Sequence, residues 1–230
     1  MATVLLVRHG RTQANSDGIL AGRSPGTSLD DLGVDQARAL GQALVGFKPT
    51  AVIASPLERT MRTAELISSA LSAPDGSEYK IVQEVGLTEC DYGDWTGKAL
   101  SELAVDPLWR AVQDHPSSVR FPGETGESMA AMQSRAVAAI RSWNDVLGPD
   151  AMYIAVSHGD VIKSIIADSL GLHLDNFQRI VVDPGSISVI RYSELRPFVV
   201  SVNGDGSKIQ RFIEESQRTQ SDAAVGGGAA

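Results

Sequence analysis

Apolar residues fall along the chain in two alternating rhythms. Short unbroken runs at residues 3–8 (TVLLVR), 51–54 (AVIA) and 152–157 (MYIAVS) have the length and aliphatic content of buried strands. Residues 80–85 form a further strand candidate. Between these runs the spacing changes to that of a helix. Over 31–46, Val34, Ala37, Gly41, Leu44 and Val45 share one face, with Asp30 placed to cap the first turn. Ser55-Pro56-Leu57-Glu58 has the form of a capping box, with Ser at N-cap, Pro at N1 and Glu at N3, and predicts a helix to about Leu71. Residues 101–113 predict short helices broken at Pro107, residues 127–146 the longest helix, and residues 161–170 another. Residues 180–182, 187–192 and 198–202 have strand composition. Strands alternating with helices predict an α/β fold with a mainly parallel sheet covered on both faces. The closely spaced late strands add some antiparallel pairing. No internal repeat or linker divides the chain, and from about Gln217 it turns to Ser, Asp, Ala and Gly, the composition of a flexible tail.

Composition narrows the classes. The 230 residues suit one large domain, and 43% hydrophobic with 21% charged excludes disorder over most of the length. A single cysteine, Cys90, excludes an intramolecular disulfide framework and a multi-cysteine metal site. The 28 acidic and 20 basic residues give a net charge of −8, which argues against a nucleic-acid-binding surface but not against a local basic pocket. No apolar stretch approaches the length of a membrane span, and residues 1–7 lack the charged n-region of a signal peptide. A cytoplasmic protein is the default expectation.

Candidate chemistry begins with a repeated phrase. LLVRHG (residues 5–10) and IAVSHG (residues 154–159) are apolar runs that each end in His-Gly. As parallel strands they place His9 and His158 at the carboxyl end of the sheet, where open α/β sheets bind ligands. The glycine after each histidine lets a ligand approach the backbone. Only four histidines occur in the chain, so two in this position point to chemistry more than to local hydrogen bonding. Arg8 and Arg11 flank His9, and Arg59 lies in the first turn of the helix after the second strand. Guanidinium forks beside a helix N-terminus make an anion site. Arg62, one turn on, reads as a solvated face. Together these residues suit phosphoryl transfer through a histidine: a neutral imidazole attacks phosphorus, and the second histidine and the arginines neutralise the developing charge. A proton donor is needed for the leaving oxygen. Glu89 is the candidate, with Asp91 and Asp94 as rivals in the same loop.

These residues resemble a known family. Residues 5–15 (LLVRHGRTQAN) resemble the signature of the histidine phosphatase superfamily, also called phosphoglycerate mutase-like. Residues 29–37, 55–64 (SPLERTMRTA), 87–97 (LTECDYGDWTG), 121–128 with Arg135, and the second VSHG resemble further family blocks, in family order, over about residues 3–165. The resemblance implies a three-layer α/β/α sandwich over 1–215, with 216–230 as the tail. It implies His9 as the phosphorylated nucleophile, Arg8, Arg59 and His158 on the phosphoryl group, Glu89 as proton donor and Asn15 near the phosphate. It implies no metal or other cofactor and a small phosphorylated substrate, with no nucleic acid or membrane partner. A homodimer through a sheet edge stays open.

The family holds both phosphatases and mutases. Cofactor-dependent mutases continue the acid loop as Glu-Arg-His-Tyr-Gly and add an Arg-Arg pair. Here the loop reads Glu89-Cys90-Asp91-Tyr92-Gly93, and Arg110 stands alone. Without basic groups to hold a second anion, water takes the phosphoryl group, so the chain looks closer to the phosphatase branch. A mutase and a non-catalytic phosphate-binding module are the alternatives. Three departures from the family pattern stand out. Asp160 follows the second His-Gly, where it is expected to cap the helix and point away. The PGGES block is expanded to PGETGES (residues 122–128). Arg23 stands as either a leaving-group contact or a surface residue. Trp95, Trp109 and Trp143 read as packing residues, Trp109 being the best candidate to face a substrate. No phosphate-binding P-loop or strand-linked GxGxxG occurs.

Overall fold

Among the described residues six strands form one sheet: β1 (Ala2–Arg8), β2 (Val52–Ala54), β3 (Ile81–Gln83), β4 (Met152–Ser157), β5 (Ile187–Tyr192) and β6 (Pro197–Gly204). Their order is β3-β2-β4-β1-β5-β6. The first four positions in that order pair in parallel, β5 runs antiparallel to β1, and β6 antiparallel to β5. The helices are α1 (Gln13–Ser16), α2 (Asp31–Ala43), α3 (Glu58–Ser68), α4 (Leu100–Leu103), α5 (Pro107–Asp114), α6 (Met129–Leu147) and α7 (Gly159–Ser169). This computed structural model describes residues 1–71, 73, 76–207 and 209. The tail expected over 216–230 lies outside the described residues.

Period-two alternation along the strands builds two cores. Val4, Leu6, Ile53, Tyr153 and Ala155 pack against α6 and α7 through residues such as Met132, Ile140, Ile162 and Ile166. Leu5, Val7, Ala54, Ile154 and Val156 face the other way, onto Leu40 of α2 and Ile67 of α3. Each buried Val, Leu, Ile or Met among these stabilises the fold by about 1.5–3 kcal/mol. The result is the expected three-layer α/β/α sandwich with a mainly parallel sheet. At the centre of the sheet α2 approaches the end of β1 so closely that a Cβ on Gly10 would overlap the Gly33 carbonyl. Asp30 caps α2 as expected, its Oδ1 accepting from Gly33 N at 2.8 Å.

Several elements differ from the expectations. The capping box at residue 55 does not form: α3 starts at Glu58, and Leu57 at its N-cap makes no side-chain cap. The Ser55 hydroxyl instead bonds the His158 ring, Oγ to Nε2 at 2.8 Å. Residues 180–182 are not a strand; Ile180 and Val182 plug the core below α7, and the Val182 carbonyl accepts from Arg8 Nη1 at 2.6 Å. The strand expected over 80–85 shortens to β3 at the sheet edge, and a 3-10 turn over Val85–Leu87 follows it. Pro107 breaks the 101–113 region as expected, with Asp106 capping α5.

Candidate active site

The parallel strands bring the chemistry to their carboxyl ends. His9 follows β1 and His158 follows β4, and the strands are in register with Arg8 opposite Ser157. The two imidazole rings stand edge to face, centroids 5.3 Å apart. His9 Nδ1 lies 2.7 Å from its neighbour's carbonyl, Gly10 O. Only a protonated Nδ1 can make that bond, so the lone pair sits on Nε2. Arg59 Nε donates to that Nε2 at 3.2 Å, which agrees with the same tautomer. Burial, and the charges of Arg59 and Arg8, hold the His9 imidazole well below its usual pKa and therefore neutral.

Arg59 also donates to Gly22 O at 2.8 Å, which fixes its guanidinium beside His9. Arg8 is anchored at Val182, while its buried Nε donates to no protein atom. His158 is fully buried, and its Nδ1 has no protein partner and lies 4.0 Å from Glu89 Oε2. Burial, then Arg59, His9 and Arg8, keep its ring neutral. A Ser55 hydroxyl that donates to Nε2 leaves the ring proton of His158 on Nδ1, beside Glu89. A buried donor left unpaired costs roughly 1–3 kcal/mol, and an oxyanion here would satisfy both Arg8 Nε and His158 Nδ1.

Glu89 is buried at the rim of the same cavity. Its Oε1 accepts from Cys90 N at 2.9 Å. Burial, with the nearby Asp160 charge adding to it, pushes its carboxyl up to about 7. A carboxyl poised there can both give and take a proton near neutral pH. The loop carrying it is clamped from below. Arg135 on α6 binds Glu127 through Nε and Nη2 at 2.7 and 2.9 Å, and donates to the carbonyls of Gly86 and Glu89. Ser157 Oγ holds Leu87 O at 2.7 Å. The expanded 122–128 turn takes part in this clamp, with Glu127 N donating to Asp91 O and Asp94 N to Pro122 O, both at 2.8 Å.

A cavity of about 330 Å³ opens over these groups. Arg8, His9, Asn15, Arg59 and Glu89 line it. His158 stands behind that wall. Asn15 caps α1 with its Oδ1, which accepts from Thr12 N at 3.1 Å. Asp91 and Asp94 do not line the cavity: Asp91 accepts from Gly93 N and Thr125 Oγ1, and Asp94 is exposed. Trp95 and Trp109 form part of the wall, whereas Trp143 donates to Glu84 away from it.

Four expectations need correction. Arg11 does not join the anion site; its Nε is 2.7 Å from Asp30 Oδ2. Arg23 does not face the substrate space; it binds Glu89 O and Glu127 Oε2, completing the clamp on the acid loop. Asp160 does not point away: its Oδ2 accepts from Tyr92 Oη at 2.8 Å, and it lines the cavity. The glycines after the histidines serve chain contacts as much as a ligand. Gly10 meets the Gly33 backbone, and a Cβ on Gly159 would stand 3.3 Å from the Arg8 guanidinium carbon. Lys163, unassigned from the sequence, also lines the cavity with Gln178. The available signal was its place after the second His-Gly, where the family often carries an Arg.

Comparison with known proteins places the chain in a family. The model of the histidine phosphatase superfamily (branch 1) matches residues 4–205. Phosphoserine phosphatase 1 of Hydrogenobacter thermophilus is 28% identical over 210 residues, covering 88% of this chain and 92% of that protein. A protein of Erwinia tasmaniensis named "Probable phosphoglycerate mutase GpmB" is 32% identical over 225 residues, 95% of this chain and all of that one. Among solved structures, Bacillus stearothermophilus YhfR superposes with a TM-score of 0.79 at 26% identity, covering 89% of this chain and 98% of that one. The alpha-ribazole phosphatase of Shigella flexneri gives 0.74 at 26%, covering 88% and 96%. The chain belongs to the histidine phosphatase superfamily, branch 1, and it is a phosphatase.

Proposed function

We propose that this phosphatase hydrolyses small phosphomonoesters through a phosphohistidine on His9. The observation that supports it best is the His9 tautomer, a neutral imidazole whose Nε2 lone pair is held between Arg59 and the cavity. In the first step Nε2 forms a bond to phosphorus as the ester P–O bond breaks. Glu89 gives its proton to the departing alkoxide. Arg59 turns from Nε2 to a phosphoryl oxygen, and Arg8 Nε and His158 Nδ1 take the others. In the second step Glu89, now ionised, takes a proton from water. The water oxygen bonds phosphorus, the P–N bond breaks, and inorganic phosphate and neutral His9 are left. Asn15 stands beside the phosphoryl site.

A mutase would hold its phosphorylated product for return transfer. The relatives named as mutases make this the alternative, but Arg8 and Arg59 are committed to one phosphoryl group and Lys163 is shared with Asp160 and Gln178. Water is therefore the acceptor.

The test is turnover of p-nitrophenyl phosphate, with ³²P retained on the protein after acid-free quenching. Wild-type protein releases nitrophenol and carries an acid-labile, base-stable label. His9→Ala loses both. Full turnover by His9→Ala would remove the mechanism, and primer-dependent isomerisation of 3-phosphoglycerate in place of hydrolysis would install the mutase.

A further inference from the structure

The cavity wall also carries a charged cluster that the transfer itself does not use. Asp160 and Lys163 lie one turn apart on α7, Oδ1 to Nζ at 3.8 Å. Asp160 is held by Tyr92, and Lys163 Nζ donates to Gln178 Oε1 at 3.1 Å. All four side chains line the cavity, and Trp109 and Leu100 supply apolar wall. With the phosphoryl group at Arg8 and Arg59, as proposed above, the leaving group occupies the rest of the cavity, which these residues help to line.

Charge counting then constrains what it can be. Three cations line the cavity: Arg8, Arg59 and Lys163. Asp160 and Glu89 are the carboxyl groups. When Glu89 holds the proton it must deliver, two positive charges remain uncancelled, and one phosphoryl dianion uses both. A carboxylate or second phosphate on the leaving group would sit against Asp160 with no free cation. Resting on the phosphatase reading above, we propose that Asp160 and Lys163 form a leaving-group subsite that selects uncharged, hydroxyl-bearing alcohols, such as polyol or sugar monophosphates, over anionic ones. The Asp160 carboxylate and the Gln178 amide suit hydroxyl groups, and the Trp109 ring suits a C–H face.

Glycerol 3-phosphate and 3-phosphoglycerate test this directly, since they differ by an alcohol against a carboxylate on the same three-carbon frame. The quantity read is the ratio of their kcat/KM values within one protein, which cancels the fraction folded and any change at Glu89. Wild type is expected to favour glycerol 3-phosphate by about tenfold or more. Asp160→Asn should lower the ratio about tenfold or more, and Lys163→Met, which leaves Asp160 uncompensated, should raise it. Should Asp160→Asn not fold, Lys163→Met decides. Preference for 3-phosphoglycerate in wild type overturns the proposal, as does a ratio that neither variant moves by more than about twofold. Those results leave the phosphatase reading intact as long as p-nitrophenyl phosphate is still turned over with dependence on His9; loss of that dependence would sink the phosphatase reading instead.

Discussion

In the proposed mechanism Glu89 and His9 divide their labour by protonation, and pH should reveal it. His9 is held neutral well below its usual range, so it limits activity only in acid. Glu89, pushed up to about 7, must be protonated to release an alkoxide. The kcat/KM for an alkyl phosphate should therefore fall as pH rises through about 7. Asp160→Asn removes a charge that raises the Glu89 pKa, and should move that limb to lower pH. Glu89→Gln should lower kcat/KM for alkyl phosphates by about 10²–10⁴ and affect p-nitrophenyl phosphate less, because nitrophenolate leaves without a proton. The same group shapes stability. A carboxyl whose folded pKa is raised favours folding below its unfolded pKa near 4.5, and that contribution is lost as pH rises towards 7. Glu89→Gln should thus raise Tm most at neutral pH and above. Ser55 is the other residue with a role of its own. Its hydroxyl bonds the His158 ring, so Ser55→Ala should lower kcat about threefold to tenfold with little change in KM, the effect of losing one neutral hydrogen bond.

The elements were legible in the sequence where the signal was local. The Asp30 cap, the break at Pro107 and the unbroken apolar runs of the strands each depend on residues within a turn or two of one another. What escaped depended on partners far along the chain. Ser55 fails to cap α3 because a histidine 103 residues away takes its hydroxyl. Residues 180–182 have strand composition but plug a core and serve Arg8 instead of a ladder. His9, His158, Arg8, Arg59 and Glu89 could be singled out as candidates because each sits in a short motif, and the fold brings them together. Arg23, Glu127 and Arg135 were not legible as a clamp, since three separate segments supply it. That clamp gives a prediction at the level of elements. Arg135→Met leaves Glu127 partly buried and short of its bidentate partner. The loss should be about 2–3 kcal/mol, below the range for a fully buried pair. Tm should fall by roughly 5–10 °C, and kcat should fall as the Glu89 loop loosens, measured by calorimetry and by turnover of glycerol 3-phosphate.

At the scale of the whole molecule, the phosphoryl site ties together segments from the ends of three strands: His9 after β1, Arg59 after β2 and His158 after β4. A ligand that bridges them stabilises the folded chain and has no counterpart in the unfolded one. Inorganic phosphate at 100 times its Kd should add about 2.7 kcal/mol and raise Tm by roughly 5–10 °C. Arg59→Ala should abolish that increment while the unliganded protein stays folded. A phosphate-induced shift that survives Arg59→Ala would place the anion elsewhere.

The sheet itself acts as a gauge. The two imidazoles rise from adjacent parallel strands at one level, and their 5.3 Å separation is close to the ~4.8 Å pitch between hydrogen-bonded strands. Backbone ladders tolerate little stretch, so the gap that grips a phosphoryl group is machined into the scaffold and not set by any loop. Apart from the acid loop, the proposed leaving-group subsite comes from α4, α5, α7 and the segment that carries Gln178, which can be recut without disturbing that gap. A chain built this way can change its diet by surface substitution while its reaction stays the same.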